Sequence, residues 1–138
     1  MPERLFATYC SAEKNRSDAP LPAVERYISE RIAGVHAMAK AAAVRFGILS
    51  GEFGLIAPDH PIPYYDRLLD LHQVEAMAVS VADTLRAWDI HAVQWFSVAF
   101  EMDPHVTRYR DVMAKAATAA GASFDIDLWN PPGTLPSL

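Results

Sequence analysis

A second cysteine is missing from this chain, as are a long apolar run, a surplus of basic residues and the common nucleotide-loop signatures. Each absence excludes something. Cys10 alone forms no internal disulfide, suits a reducing compartment and rules out zinc held by several thiolates. No apolar stretch approaches membrane-spanning length, and "MPERLFATYC" lacks the basic segment, apolar core and small-residue cleavage site of a signal peptide. The expectation is a soluble cytoplasmic protein with no membrane partner. With 12 Lys and Arg against 17 Asp and Glu the net charge is −5, which disfavours a tight grip on duplex nucleic acid through many phosphate contacts. Five histidines, His36, His60, His72, His91 and His105, fall in five different segments without paired-His spacing, so no metal is expected. Neither a Walker sequence nor GxGxxG occurs, and no cofactor is implied.

What is present is 51% hydrophobic residue content in 138 residues, enough for one sizeable core. "RLFATY" reads as a strand ending at Cys10, followed by the polar loop "SAEKNRSDAP". From Leu21 to about Phe46 apolar residues recur at helical intervals, as one helix or as two with a break at Gly34. "GILS" is a second strand. It runs into a long loop, "GEFGLIAPDHPIPYYD", that keeps apolar residues such as Leu55 and Ile56. A helix over His72 to Trp88 and the apolar strand "AVQWFSVAF" come next. Asp103 and Pro104 suit a helix start, Val106, Tyr109, Val112, Met113, Ala116 and Ala120 supply its buried stripe, and Gly121 suits its cap. "SFDIDLW" is the last strand, with Asp125 and Asp127 on one face.

Alternation of this kind predicts an α/β domain over residues 1–130, a three-layer fold with a mainly parallel sheet of about four strands and helices on both faces. Residues 131–138, rich in proline, read as a tail. Ligands in such folds sit beyond the carboxyl ends of the strands, so the loops after Cys10, Ser50 and Phe100 would share one edge.

Two groups of residues on that edge carry chemistry. Cys10, Ser11 and Lys14 lie where the first strand runs out; a thiol near an ammonium is a useful nucleophile, while the structural alternative is a small buried hydrophobe beside a solvated charge. Ser50 and Gly51 end the second strand, where backbone amides can approach an anion or a nucleobase. Glu52 and Asp66 could form an acid and base pair, or stand as an exposed carboxylate and a cap of a short helix through "DRLLD". Tyr27 and Ser29 in "ERYISER" and Tyr65 beside Asp66 complete the set.

"CSAEK", "RYISERI" and "FGILSGEFGLIAPDHPIPYYDRLL" resemble the pattern of a family of small domains whose typical form runs Cys-Ser-x-x-Lys, Leu-Tyr-x-Ser, Ile-Leu-Ser-Ala-x-x-Gly-Leu-x-x-Pro and then Tyr-Asp. The third segment is also similar to the YaaA peroxide-stress family. A more distant similarity links both to the archaeosine synthase core, with its Cys-x-x-x-Lys motif and its 7-deazaguanine substrate. The resemblance covers roughly the first half of the chain. Gly51 stands where the family usually has Ala, and Tyr9 and Asn15-Arg16 replace the prolines and tyrosine that flank the archaeosine synthase motif. The resemblance implies a pocket and an enzyme acting on a nucleobase, nucleoside or nucleotide, free or within nucleic acid, by N-glycosidic or modified-base chemistry. Cys10, Lys14, Glu52 and Asp66 would be catalytic, and Ser11, Tyr27, Ser29, Ser50, Gly51 and Tyr65 would bind substrate, with Tyr65 stacking on a base. The alternative is a non-catalytic YaaA-like stress-response protein or a nucleic-acid- or nucleotide-binding protein, for whose nucleic-acid role Arg108, Arg110 and Lys115 could form a modest patch.

Overall fold

The computed structural model describes residues 3–98 and 106–129. Strand β1 (Glu3–Tyr9) is buried along its last five residues, so it must be covered on both faces. The chain then makes the short β2 (Leu21–Pro22) and two helices, α1 (Ala23–Arg26) and α2 (Glu30–Ala42). The helical region therefore divides at 27–29 and not at Gly34. There Tyr27 bridges to Lys14, the Ile28 amide donates to the Glu13 carbonyl, and the Ser29 hydroxyl caps α2 by accepting from the Ile32 amide. Gly34 stays inside α2 because the Trp129 indole lies 3.1 Å from where its Cβ would be.

Strand β3 (Arg45–Ser50) pairs parallel to β1. The segment expected to be a loop turns back at once as β4 (Gly54–Ile56), antiparallel to β3 with Ser50 opposite Gly54. Gly54 has φ +76°, a conformation that glycine adopts without strain. Leu55 and Ile56 are thus sheet residues, 5% exposed, and this accounts for apolar side chains in what reads as a connection. β5 (Pro61–Ile62) then pairs with β2, and residues 63–70 run without regular structure, so "DRLLD" is not a helix. A single 3₁₀ turn, Leu71–Gln73, leads into α3 (Val74–Ala87), β6 (Ile90–Ser97), α4 (Val106–Ala120) and β7 (Ser123–Leu128). Gly121, with φ +75°, ends α4 as expected. Asp103, Pro104, Phe100 and the 131–138 tail lie outside the described residues.

The sheet has five strands rather than four, in the order β4-β3-β1-β6-β7, parallel except for β4. Helix α2 packs on β1 and β3, while α3 and α4 pack on each other and on β4, β6 and β7. Crossovers of the usual right hand would place α2 on one face and α3 with α4 on the other, in keeping with three α/β layers. The crossover after β1 leads to one side of it and the crossover after β3 leads to the other. The carboxyl ends of β1 and β6 therefore flank a crevice of the kind in which ligands bind in open α/β sheets. No helix among the described residues is long and apolar enough to cross a membrane.

Candidate functional site

A cleft of about 410 Å³ opens at that crevice. Tyr9 and Cys10 enter it from the end of β1, Val98 from the end of β6, Arg31 from α2, and Val106 and Tyr109 from α4. Ser11 and Ala12 form one rim, with Lys14 of the same loop buried beside them, and Asp66, Arg67 and Leu68 form the other.

Cys10 is 9% exposed and its amide donates to the Leu49 carbonyl, which holds the residue in line with the sheet. The Tyr109 hydroxyl accepts the Leu69 amide at 3.1 Å, so its own hydrogen is free to turn toward the Cys10 sulfur. Lys14 is also 9% exposed. Its Nζ lies 4.7 Å from the Tyr65 ring centre and 5.9 Å from that of Tyr27, and it makes one long hydrogen bond, 3.3 Å, to the Ala12 carbonyl. Among the described residues no carboxylate pairs with it. An ammonium withdrawn from water with three donors and a single acceptor is poised to take an anion.

The loop that carries Lys14 is held by an arginine that sequence reasoning passed over. Arg26 is fully buried and donates to four carbonyls, those of Asn15 at 2.6 Å, Ser17 at 3.0 Å, Ala19 at 2.7 Å and Ile62 at 3.2 Å. Such a fork fits one planar guanidinium and not an ammonium. Arg31, also missed, donates to Thr8 Oγ1 and to the carbonyls of Tyr9 at 2.7 Å and Cys10 at 3.3 Å, with its guanidinium 3.5 Å from the Tyr9 ring centre. It brings a fixed positive charge to the cleft floor.

The other named residues divide. Cys10, Ser11, Lys14 and Asp66 share the cleft, with the Ser11 hydroxyl donating to the Glu13 carbonyl at 2.7 Å and Asp66 exposed at the mouth. Ser50 is fully buried; its Oγ accepts the Glu52 and Phe53 amides at 3.1 and 3.0 Å and so leaves its own hydrogen for the Tyr65 hydroxyl at 2.9 Å. Tyr65 in turn meets Tyr27 through their hydroxyls, and its ring packs edge to face against Phe53 at 5.2 Å. These three hydroxyls form a buried bracket behind Lys14. Ser29 is the α2 cap, and Gly51 is a packing position: a Cβ there would lie 2.9 Å from both the Leu69 amide nitrogen and the Tyr109 hydroxyl. Glu52 is carried outward by the hairpin to a second, smaller cleft of about 270 Å³, where it accepts from Arg67 at 3.1 Å.

Tyr27, Tyr65 and Tyr109 all have raised pKa values, first through burial and then through the electrostatic effect of the neighbouring Cys10. All three remain protonated donors at neutral pH. On α4, Arg108 donates to the Leu69 carbonyl, Arg110 pairs with Asp111 and Lys115 with Glu75, so much of the basic patch is already engaged. Asp127 accepts the Gln94 amide and Asp125 stands exposed on β7. Among the described residues no cluster of three or more metal-ligating groups occurs. Arg31 and Tyr109 were hidden because one lies off the apolar stripe of its helix and the other lies on it, as a core residue would. Comparison of the chain with family models, with curated proteins and with solved structures gives no match.

Proposed function

We propose that the protein is an enzyme acting on a nucleobase, nucleoside or nucleotide, with Cys10 as the group presented to the substrate. The observation that carries the reading is that the Cys10 thiol and the buried Lys14 ammonium line one cleft at the sheet's switch point. Its volume falls in the range of small-molecule sites, and the apolar surfaces of Val98, Val106 and Leu68 suit a flat ring. Lys14 holds an anionic group and Tyr109 orients the sulfur. In N-glycosidic chemistry the sulfur bonds to the anomeric carbon as the carbon–nitrogen bond breaks. The base leaves with the electron pair and receives the thiol proton relayed through water at the open mouth beside Asp66; a second water then gives its hydroxyl to the anomeric carbon and its proton to the sulfur, which releases the sugar and restores the thiol. In modified-base chemistry the sulfur adds to an electrophilic ring carbon while the thiol proton passes through water to the ring nitrogen that takes up the electron pair, giving a covalent adduct. Glu52 is too far round the hairpin to share the cleft, so proton exchange belongs to Asp66 and water.

Turnover across a nucleoside and nucleotide panel, with product analysis, tests this. Cys10→Ala is expected to lower turnover by about 100-fold or more, in line with removal of a reacting group, while the fold and melting temperature are kept. Full activity in Cys10→Ala and Lys14→Ala would remove the catalytic assignment. Ligand-induced melting shifts without turnover would make the domain a nucleotide-binding module.

A further inference from the structure

We infer that the cleft selects a dianionic phosphate ester, and that Glu52 competes with that phosphate for Arg67. The inference rests on the proposed site and names its ligand class. Arg67 lines both clefts, and its guanidinium is drawn to the outer one by Glu52 at 3.1 Å. Lys14 sits deep, 9% exposed, whereas the Arg67 side chain is 48% exposed and the Glu52 side chain 33%.

Two cations of unequal depth favour a ligand with more than one negative charge. A carboxylate is neutralised by Lys14 alone and gives Arg67 little reason to move. A phosphate ester places one oxygen at Lys14 and keeps others for a guanidinium, which binds two of them through parallel N–H donors. Arg31 adds a fixed positive potential from the floor, held there by Thr8, Tyr9 and Cys10. Asp66, at the exposed mouth, is the opposing carboxylate among the described lining residues. An ion pair as exposed as Glu52 with Arg67 is worth a factor of about two to five in an equilibrium constant. It is strong enough to park the arginine and weak enough to yield to a phosphate in a cleft with less water. Glu52 is thus a positioning residue that sets anion affinity from outside the cleft.

Titration calorimetry or NMR with inorganic phosphate, sulfate and acetate, on the full chain, tests this. Phosphate is expected to bind more tightly than acetate. Glu52→Gln is expected to tighten phosphate binding about two- to five-fold, to leave acetate unchanged, and to have no effect in an Arg67→Met background. Lys14→Met is expected to weaken phosphate at least about tenfold. If Lys14→Met weakens phosphate but Glu52→Gln does not tighten it, the competition is refuted and the site stands. If Lys14→Met, folded as judged by its melting curve, binds phosphate as wild type does, the site itself fails. Acetate binding as tightly as phosphate overturns the ligand class. Glu52 lies on the surface, so its variant keeps the test open even if Lys14→Met does not fold.

Discussion

Replacing Arg26 by Met should damage one loop more than the whole domain. Arg26 is fully buried and bonded to four carbonyls, three of them from the 15–19 segment that follows Lys14. Hydrogen bonds to a charged group contribute about 1.5–3 kcal/mol each, so the gross loss is on the order of 6–12 kcal/mol. Two effects oppose it. Met fills much of the same space without the several kcal/mol that withdrawing a guanidinium from water requires, and the freed carbonyls of Asn15, Ser17 and Ala19 belong to an exposed loop where water can reach them. The net loss is about 2–4 kcal/mol. Unfolding entropy near 2.1 cal/mol/K per residue converts that to a fall in Tm of roughly 7–14 °C for 138 residues. Limited trypsin digestion separates local from global effects, because the loop contains Lys14 and Arg16. In the wild type the Asn15 amide donates to the Arg26 carbonyl at 2.7 Å and Lys14 bridges to Tyr27, which protects the Lys14–Asn15 bond. In Arg26→Met cleavage after Lys14 and Arg16 should precede that at all other sites and proceed well below Tm. If nicking there tracks global unfolding, or if Tm is unchanged, the side chain is not the clamp described.

Three other perturbations have definite signs. Tyr65→Phe leaves the Ser50 hydroxyl hydrogen and the Tyr27 hydroxyl without their shared partner inside the protein, which should lower stability by about 1–3 kcal/mol in urea unfolding; a wild-type midpoint would dissolve the bracket. Gly51→Ala forces a Cβ to within 2.9 Å of the Leu69 amide and the Tyr109 hydroxyl, so a loss of about 1–3 kcal/mol is expected, together with altered chemical shifts around Cys10. An unshifted spectrum would show that the hairpin absorbs the methyl elsewhere. His36 has a pKa lowered by burial and then by Lys40, so the unfolded chain takes up its proton at higher pH than the folded one. Stability from this group is present above the ordinary histidine value near 6.5 and falls as pH drops below it. The difference in Tm between wild type and His36→Gln should therefore narrow or reverse from pH 7.5 to pH 5.5, and a pH-independent difference would contradict the assignment.

The buried strands were the most legible part of the fold because β1, β3 and β6 are covered on both faces and read as continuous apolar runs. β4 was not legible. The three residues Gly54–Ile56 have no periodicity to display, and what makes them a strand is the turn closed by the Ser50 hydroxyl. The break between α1 and α2 was misplaced for a related reason: Gly34 is a local signal, whereas the true break is set by the contact of 27–28 with 13–14. The site was legible where topology alone decides position. Cys10 and Ser11 follow a central strand directly and so reach the crevice, whereas Lys14, farther along, is held there by its bridge to Tyr27 and by the Arg26 clamp on the loop. Glu52 was misjudged because a hairpin, unlike a loop, reverses direction within three residues and carries the carboxylate away from its neighbours.

The chain as a whole is acidic, yet the described residues that line the cleft include Lys14, Arg31 and Arg67 beside Asp66. These two facts act over different distances. At physiological ionic strength charges separated by more than about 8 Å are largely screened, so the net charge of −5 repels an extended polyanion mainly where its phosphates would lie along the surface. A duplex would meet that surface at many points and gain from few, since Lys115 pairs with Glu75 and Arg110 with Asp111. A single phosphate inside the cleft escapes most of that repulsion and meets Lys14 where water is scarce and the interaction is stronger. Under the proposed reading, the same sequence is poor at holding nucleic acid and suited to a small phosphorylated ligand. On this argument the acidic surface narrows the class of partner that the basic cleft accepts.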